Sequence, residues 1–244
     1  MRKTHHTWIT TGMLVVASSC AMPAHAQSGE GSLSGHWKGS VQIQAMQLDF
    51  VIDITRSAHG ELTGTIGLPA QHIKGLPLLK VALEGKAVSF YAREDQPFRG
   101  TLAADGAIAG DMTVEGLAAP FTMTRSGDAM IEAAPRSAGI DKTLAGTWSG
   151  ALGANGRQLR LLLTIAPQTD GTMTAELTDV DEGGLRSPVK LTQQGSTLTI
   201  ESVAIPASIS GALNAALNEL TGTFTQGPTA LPLTLRRAAA GQDR

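Results

Sequence analysis

The chain has 244 residues, a single cysteine, 4% aromatic residues and a formal net charge of −2. So mild and scattered a charge gives no electrostatic footprint for nucleic acid or anionic lipid. Tyr91 and the few phenylalanines do not interleave with basic residues, which argues against stacking on single-stranded nucleic acid.

Arg2 and Lys3 begin the chain, an apolar run from Trp8 to Met22 follows, and Ala24-His25-Ala26 precedes Gln27. That charged, hydrophobic, small-x-small order predicts a secretory signal peptide over 1–26, with a core too short to span a bilayer as a mature helix. The alternative is a lipoprotein anchored through Cys20, since Ala17-Ser18-Ser19-Cys20 loosely resembles a lipobox. Ala17 stands where such signals usually carry Leu, and the Ala-x-Ala site downstream is the better match. Cleavage after Ala26 removes Arg2, Lys3 and no acid, so the net charge passes from −2 to −4. It also removes the only cysteine, leaving a product without disulfides or thiolate ligands. An exported chain of this kind reads as bacterial and periplasmic or secreted. No other apolar segment is long enough to cross a membrane.

What remains is a stretch of about 95 residues written twice. Leu33-Ser34-Gly35-His36-Trp37-Lys38-Gly39 returns as Leu144-Ala145-Gly146-Thr147-Trp148-Ser149-Gly150. Gly60 answers Gly171, Pro77 answers Pro188, Gly100 answers Gly211, Pro120 answers Pro232 and Arg125 answers Arg237. Turn residues that keep their spacing mean one supersecondary plan used twice. The expected organisation is a first repeat over 30–126, a linker over 127–143 around Pro135, a second repeat over 144–237 and a flexible tail over 238–244.

Within each repeat, period-two alternation dominates. Leu48, Phe50, Ile52 and Ile54 share one strand face, as do Leu159, Leu161, Leu163 and Ile165 in the second copy. Asp49 and Asp53, or Arg160 and Thr164, occupy the opposite face. Val51 and Leu162 break that polar face, as ordinary exposed apolars or as marks of a contact between the copies. Eight strands are predicted per copy: 36–44, 47–55, 61–67, 78–83, 87–93, 98–103, 107–114 and 119–125. The second set is 147–154, 158–166, 172–178, 189–193, 197–203, 208–213, 220–225 and 231–237. Ala104-Asp105-Gly106 and Asp170-Gly171 mark tight hairpin turns. The gaps are too short for crossover helices, so the sheets are antiparallel. Ala212 to Glu219 reads as a short helix by propensity, but its counterpart is a strand–turn–strand, and the repeat outweighs propensity.

Short antiparallel strands in sequence order predict an all-β fold of two consecutive up-and-down barrels, with a pair of β-sandwiches as the alternative. Alternation points Trp37 and Arg125 inward at opposite ends of one copy, and Trp148 and Arg237 in the other. That placement favours first-to-last strand pairing, hence closure.

Gly35-x-Trp37 with Arg125, and Gly146-x-Trp148 with Arg237, resemble the Gly-x-Trp and late Arg of lipocalin-type (calycin) barrels. The resemblance implies that the arginine packs across the tryptophan and closes one barrel end by a cation–π contact worth about 0.5–2 kcal/mol. The copies are shorter than true lipocalins. A second resemblance covers both copies nearly end to end. Leu144 to Gly150, Gly222 to Gly227 and Leu231 to Arg237 resemble a bacterial secreted β module that often precedes α/β-hydrolase domains. Its Pro-x-Gln-x-x-Lys-Gly-x-Pro loop is matched by Pro69, Gln71, Lys74, Gly75 and Pro77. The second copy departs from it, with Val180, Glu182, Leu185 and Arg186 before Pro188. No hydrolase domain follows in the chain.

Catalytic patterns are not found. After removal of the signal the histidines are His36, His59 and His72, without ligand-like spacing and read as surface residues. There is no Gly-x-Ser-x-Gly elbow or Ser-x-x-Lys. Asp49 with Asp53, and Glu94 with Asp95, read as solvated carboxylates, and Asp179, Asp181 and Glu182 as a charged loop rather than a calcium site. An eight-stranded barrel has room for side chains or one small ligand, and inward Leu, Ile, Val, Phe and Met favour a packed lumen. The sequence therefore predicts a non-catalytic exported binding or interaction module without cofactor. Its partner would be a small apolar ligand or a periplasmic protein. The second resemblance adds the alternative of an accessory subunit to a secreted hydrolase. Ligand access is expected beside loops 68–77 and 179–188, at Pro69, Gln71, Lys74, Pro77, Asp181, Glu182 and Pro188.

Overall fold

The computed structural model describes residues 32–154 and 156–238, so the signal segment with Cys20 and the end of the tail lie outside the described residues. The first repeat forms β1 (Gly35–Ile43), β2 (Met46–Arg56), β3 (Leu62–Leu68), β4 (Ile73–Pro77), β5 (Leu79–Glu84), β6 (Ala87–Arg93), β7 (Gln96–Leu102), β8 (Ile108–Val114) and β9 (Leu117–Gly127). The second forms β10 (Gly146–Ala154), β11 (Arg157–Pro167), β12 (Met173–Asp179), β13 (Leu185–Gln194), β14 (Thr197–Ser202), β15 (Ala207–Leu213), β16 (Glu219–Gln226) and β17 (Thr229–Arg237). All pairings between these strands are antiparallel.

β10 to β17 close into a barrel, with β17 returning to β10 at Trp148↔Arg237 and Gly150↔Leu235. In the first repeat the sheet runs β4-β3-β2-β1-β9-β8-β7-β6-β5. Its end strands are consecutive in the chain and joined at Leu78, whose N–H donates to the Gly64 carbonyl at 2.8 Å. Together β4 and β5 fill the place of β13, which pairs with β12 through Leu185–Val189 and with β14 through Val189–Gln194. The sequence reading began these strands only after Pro77 and Pro188. Both prolines lie inside or at the end of a strand, next to where it changes partner, and there the missing N–H is tolerated. Ala212 to Glu219 is the end of β15, a turn and the start of β16, as in the first copy.

Inward side chains fill both lumens. Phe50, Phe90, Phe98 and Phe121 pack ring on ring in the first, with Phe90 and Phe98 stacked at 4.7 Å between centroids. In the second core Trp148 is the one buried ring among the described residues, beside aliphatic side chains and Met173, with Phe224 half-buried against it. Facing strand glycines turn a corner in each barrel: a Cβ on Gly110 would stand 2.0 Å from the Arg99 carbonyl oxygen, and one on Gly222 2.1 Å from that of Ser210. No helix among the described residues is long and apolar enough to cross a membrane, a statement that leaves strands out of account.

Candidate functional site at the junction of the two barrels

His36 on β1 and Asp53 on β2 are register partners on the outer wall of the first barrel. Period-two alternation predicts both in solvent. Instead Asp53 is only 8% exposed, and its Oδ1 lies 2.8 Å from His36 Nδ1. The backbone N–H of Met130 donates to the same oxygen at 2.8 Å. With the carboxylate ionised, Nδ1 carries the proton and donates. Asp49 stays exposed, so the expected carboxylate pair splits into one solvated and one covered member. The reading of His36 and Asp53 as surface residues is corrected. Alternation reports which barrel face a side chain takes, not what chain later crosses that face.

The cover is the segment between the repeats. Its composition predicts a linker, yet it is fastened at both ends. Met130 is tied to Asp53. Ser137 exchanges two backbone hydrogen bonds with Met173, and its Oγ accepts from the Leu191 N–H, all at 2.8 Å. Arg136 pairs with Asp170, and Asp141 N–H donates to Gln193 Oε1. Ile140 and Leu144 enter the second core. The Thr172 hydroxyl and backbone N–H, with Arg136 behind them, hold the Asp170 carboxyl down to about 2.

The two loops expected to frame open ligand mouths face each other across the contact between barrels. Lys74 N–H donates to the Ala204 carbonyl and Glu94 N–H to that of Gly183, both at 2.9 Å. Arg93 bonds Glu182 at 3.0 Å and Asp95 at 2.8 Å. Leu185, Ala204 and Ile205 of the second repeat pack on the first core. In repeat alignment, Lys74 and Gly183 lie in equivalent loops, as do Glu94 and Ala204. Each copy thus offers the same two loops to the other, the form of an isologous interface.

Of the predicted mouth residues, Lys74 and Pro188 line a cleft beside this contact, Pro77 ends β4, and Pro69 and Gln71 sit exposed in a short 3-10 turn. Asp181 is spent on Arg160, Glu182 on Arg93, and Asp179, which accepts from the Glu182 N–H, is pushed up by burial. No group of three or more His, Cys, Asp or Glu among the described residues is arranged to hold a metal ion.

The cleft has a volume of about 140 Å³ and is walled by the first barrel, the connecting segment and the second barrel. Asp53 and Lys74 come from the first wall, Glu132 from the segment and Val203 from the last. Val51, whose apolar side chain broke the alternation, lines it too. Asp53 Oδ2 receives no hydrogen bond from the described residues. No sealed side-chain polar atom among them lacks a partner, so this oxygen keeps a path to the cleft. The second copy carries Thr147 and Thr164 at the matching positions, the latter exposed.

The Trp–Arg pairs lie at the far end of each barrel. Trp37 and Trp148 are each 1% exposed and donate from Nε1 to the carbonyls of Leu33 and Leu144. Arg125 and Arg237 are their register partners but are exposed. The cation–π contacts among the described residues are those of Lys80 and Arg99 with Tyr91, not the expected arginine–tryptophan pairs. Arg125 instead runs over Gly35, where a Cβ would meet its Nε at 2.4 Å, and Arg237 donates to the Ala145 carbonyl. The glycine of Gly-x-Trp therefore gives the arginine its path.

No family model and no curated protein matches the chain. Solved structures with similarity include a candidate outer membrane protein of Bacteroides fragilis, at 13% identity and a TM-score of 0.26, covering 84% of this chain and 97% of that one. Another is a protein of unknown function from the DUF3598 family of Nostoc punctiforme, at 13% identity and a TM-score of 0.23, covering 84% and 96%. Likeness at this level carries no functional argument. The two-barrel fold itself resembles calycin-type barrels.

Proposed function

We propose that the chain is a non-catalytic binding module of the periplasm or cell exterior, and that its site is the junction cleft rather than a barrel lumen. The observation that carries this reading is Asp53, a nearly buried carboxylate with one oxygen left open to a cleft that both copies help to wall. His36 and the Met130 N–H pair its Oδ1 and fix the group in place, which leaves Oδ2 as an oriented acceptor facing the cleft. Filled lumens support the same choice, as do the barrel contacts that cover the expected mouths. The Trp–Arg ends serve closure, with the ring as plug and the arginine over the glycine.

The reading predicts that protein isolated from its own exporting cells carries a bound small molecule or a stoichiometric partner in native mass spectra. A bare chain under all gentle conditions would refute it. A co-purifying exported hydrolase would move the assignment to an accessory subunit of that enzyme.

A further inference from the structure

We infer that the junction cleft takes a small zwitterion of the amino-acid type, its ammonium group meeting Asp53 and its carboxylate meeting Lys74. This rests on the binding-module reading above and names its ligand class. Three observations carry it. The first is charge: the cleft holds two carboxylates, Asp53 and Glu132, and one ammonium, Lys74. No ion pair joins Lys74 to either acid among the described residues. A purely cationic ligand would face Lys74 and a purely anionic one would face both acids, whereas a zwitterion satisfies both signs.

The second is the open oxygen. Asp53 Oδ1 is held by His36 and Met130, which fixes the carboxylate, and Oδ2 remains an acceptor without a donor. An ammonium N–H supplies that donor in a charge-assisted bond. The third is the rim. Large apolar side chains that stand well exposed include Met130 at 69% and Val203 at 40%, and both border this cleft with Val51 on its wall. They offer a surface for a short aliphatic side chain. About 140 Å³ is close to the roughly 150 Å³ known to accommodate benzene, the scale of one small molecule, and a short aliphatic side chain could rest on the exposed rim.

The test is a titration of the exported protein, followed by NMR of the Val51 and Met130 methyl groups. The probes are L-leucine, isobutylamine as the amine alone and isovalerate as the acid alone. Leucine should shift these signals saturably, with each one-ended analogue about tenfold weaker or more. Lys74→Met should weaken leucine but not the amine, and Glu132→Gln should weaken leucine but not the acid. Both side chains are exposed, so unchanged melting temperatures keep the comparison clean; Asp53→Asn is the third arm. The inference is overturned if no amino acid shifts the methyl signals, if the amine binds as tightly as leucine, or if both variants bind leucine normally. Protein that retains some other molecule in native mass spectra yet ignores amino acids would overturn this assignment and leave the binding-module reading standing.

Discussion

Asp53→Ala removes an acceptor that two donors share. His36 Nδ1 and the Met130 N–H would each lose a partner, at about 1–3 kcal/mol per donor if sealed from water. The His36 and Asp53 side chains retain 14% and 12% exposure, so water reaches part of the gap. Removing the carboxylate also returns its own desolvation cost. The balance puts Asp53→Ala at about 2 kcal/mol, and Asp53→Asn, which keeps an acceptor, nearer 1 kcal/mol. The second barrel supplies the control, because Thr147 and Thr164 occupy the same crossing without charge. Replacing His36 and Asp53 together by threonine should therefore cost less than the two single changes summed, with a coupling of about 1–2 kcal/mol. The assay is urea unfolding of the first barrel followed by Trp37 fluorescence in a Trp148→Phe background, since each repeat holds one tryptophan. Midpoints should move with unchanged slopes. A wild-type midpoint for Asp53→Ala, or strict additivity in the double variant, would refute the reasoning.

Trp37→Ala and Trp148→Ala should each cost about 3–5 kcal/mol, because both rings are buried; near-wild-type denaturation midpoints would show that neither acts as a plug. Asp170 titrates at about 2, below its ordinary 3.8, so what it adds to stability is complete above the ordinary value and is lost as pH falls through 2. Carboxyl NMR titration should find Thr172→Val raising that value, since the threonine hydroxyl is its largest single cause. An unchanged value in Thr172→Val would refute that assignment.

Strand positions and inward faces were legible in the sequence because burial on one side of a sheet leaves a period of two. Leu48 to Ile54 and Leu159 to Ile165 show it directly. β4 was not legible: a Pro-bounded stretch with Gly75 carries turn chemistry, and what makes it a strand is backbone pairing with β3 across a short 3-10 turn, which no side-chain pattern records. The site was hidden for a related reason. Asp53 looks solvated within its own strand, and its burial comes from Met130, far along the chain, held by a backbone N–H that no side-chain pattern encodes. Val51 was the one local sign, an apolar residue on a polar face. The loop around Pro77 reads in sequence as a ligand mouth, but which surface it faces is set by the second barrel.

The duplication itself explains why a site should arise at this place. Two copies that meet through the same pair of loops form a contact whose halves are equivalent, and equivalent surfaces carry equivalent chemistry unless something distinguishes them. The connecting segment does so. It leaves β9, crosses the His36–Asp53 wall and only then joins β12 through Ser137, so it lies over the first copy's wall. Beneath it stand a histidine and an aspartate; at the matching crossing of the second copy stand two threonines, residues that suit an ordinary strand surface. The histidine–aspartate pair thus occurs where a third wall exists to enclose it. A binding function requires that enclosure, and one barrel alone lacks both the segment and the opposing loop that provide it.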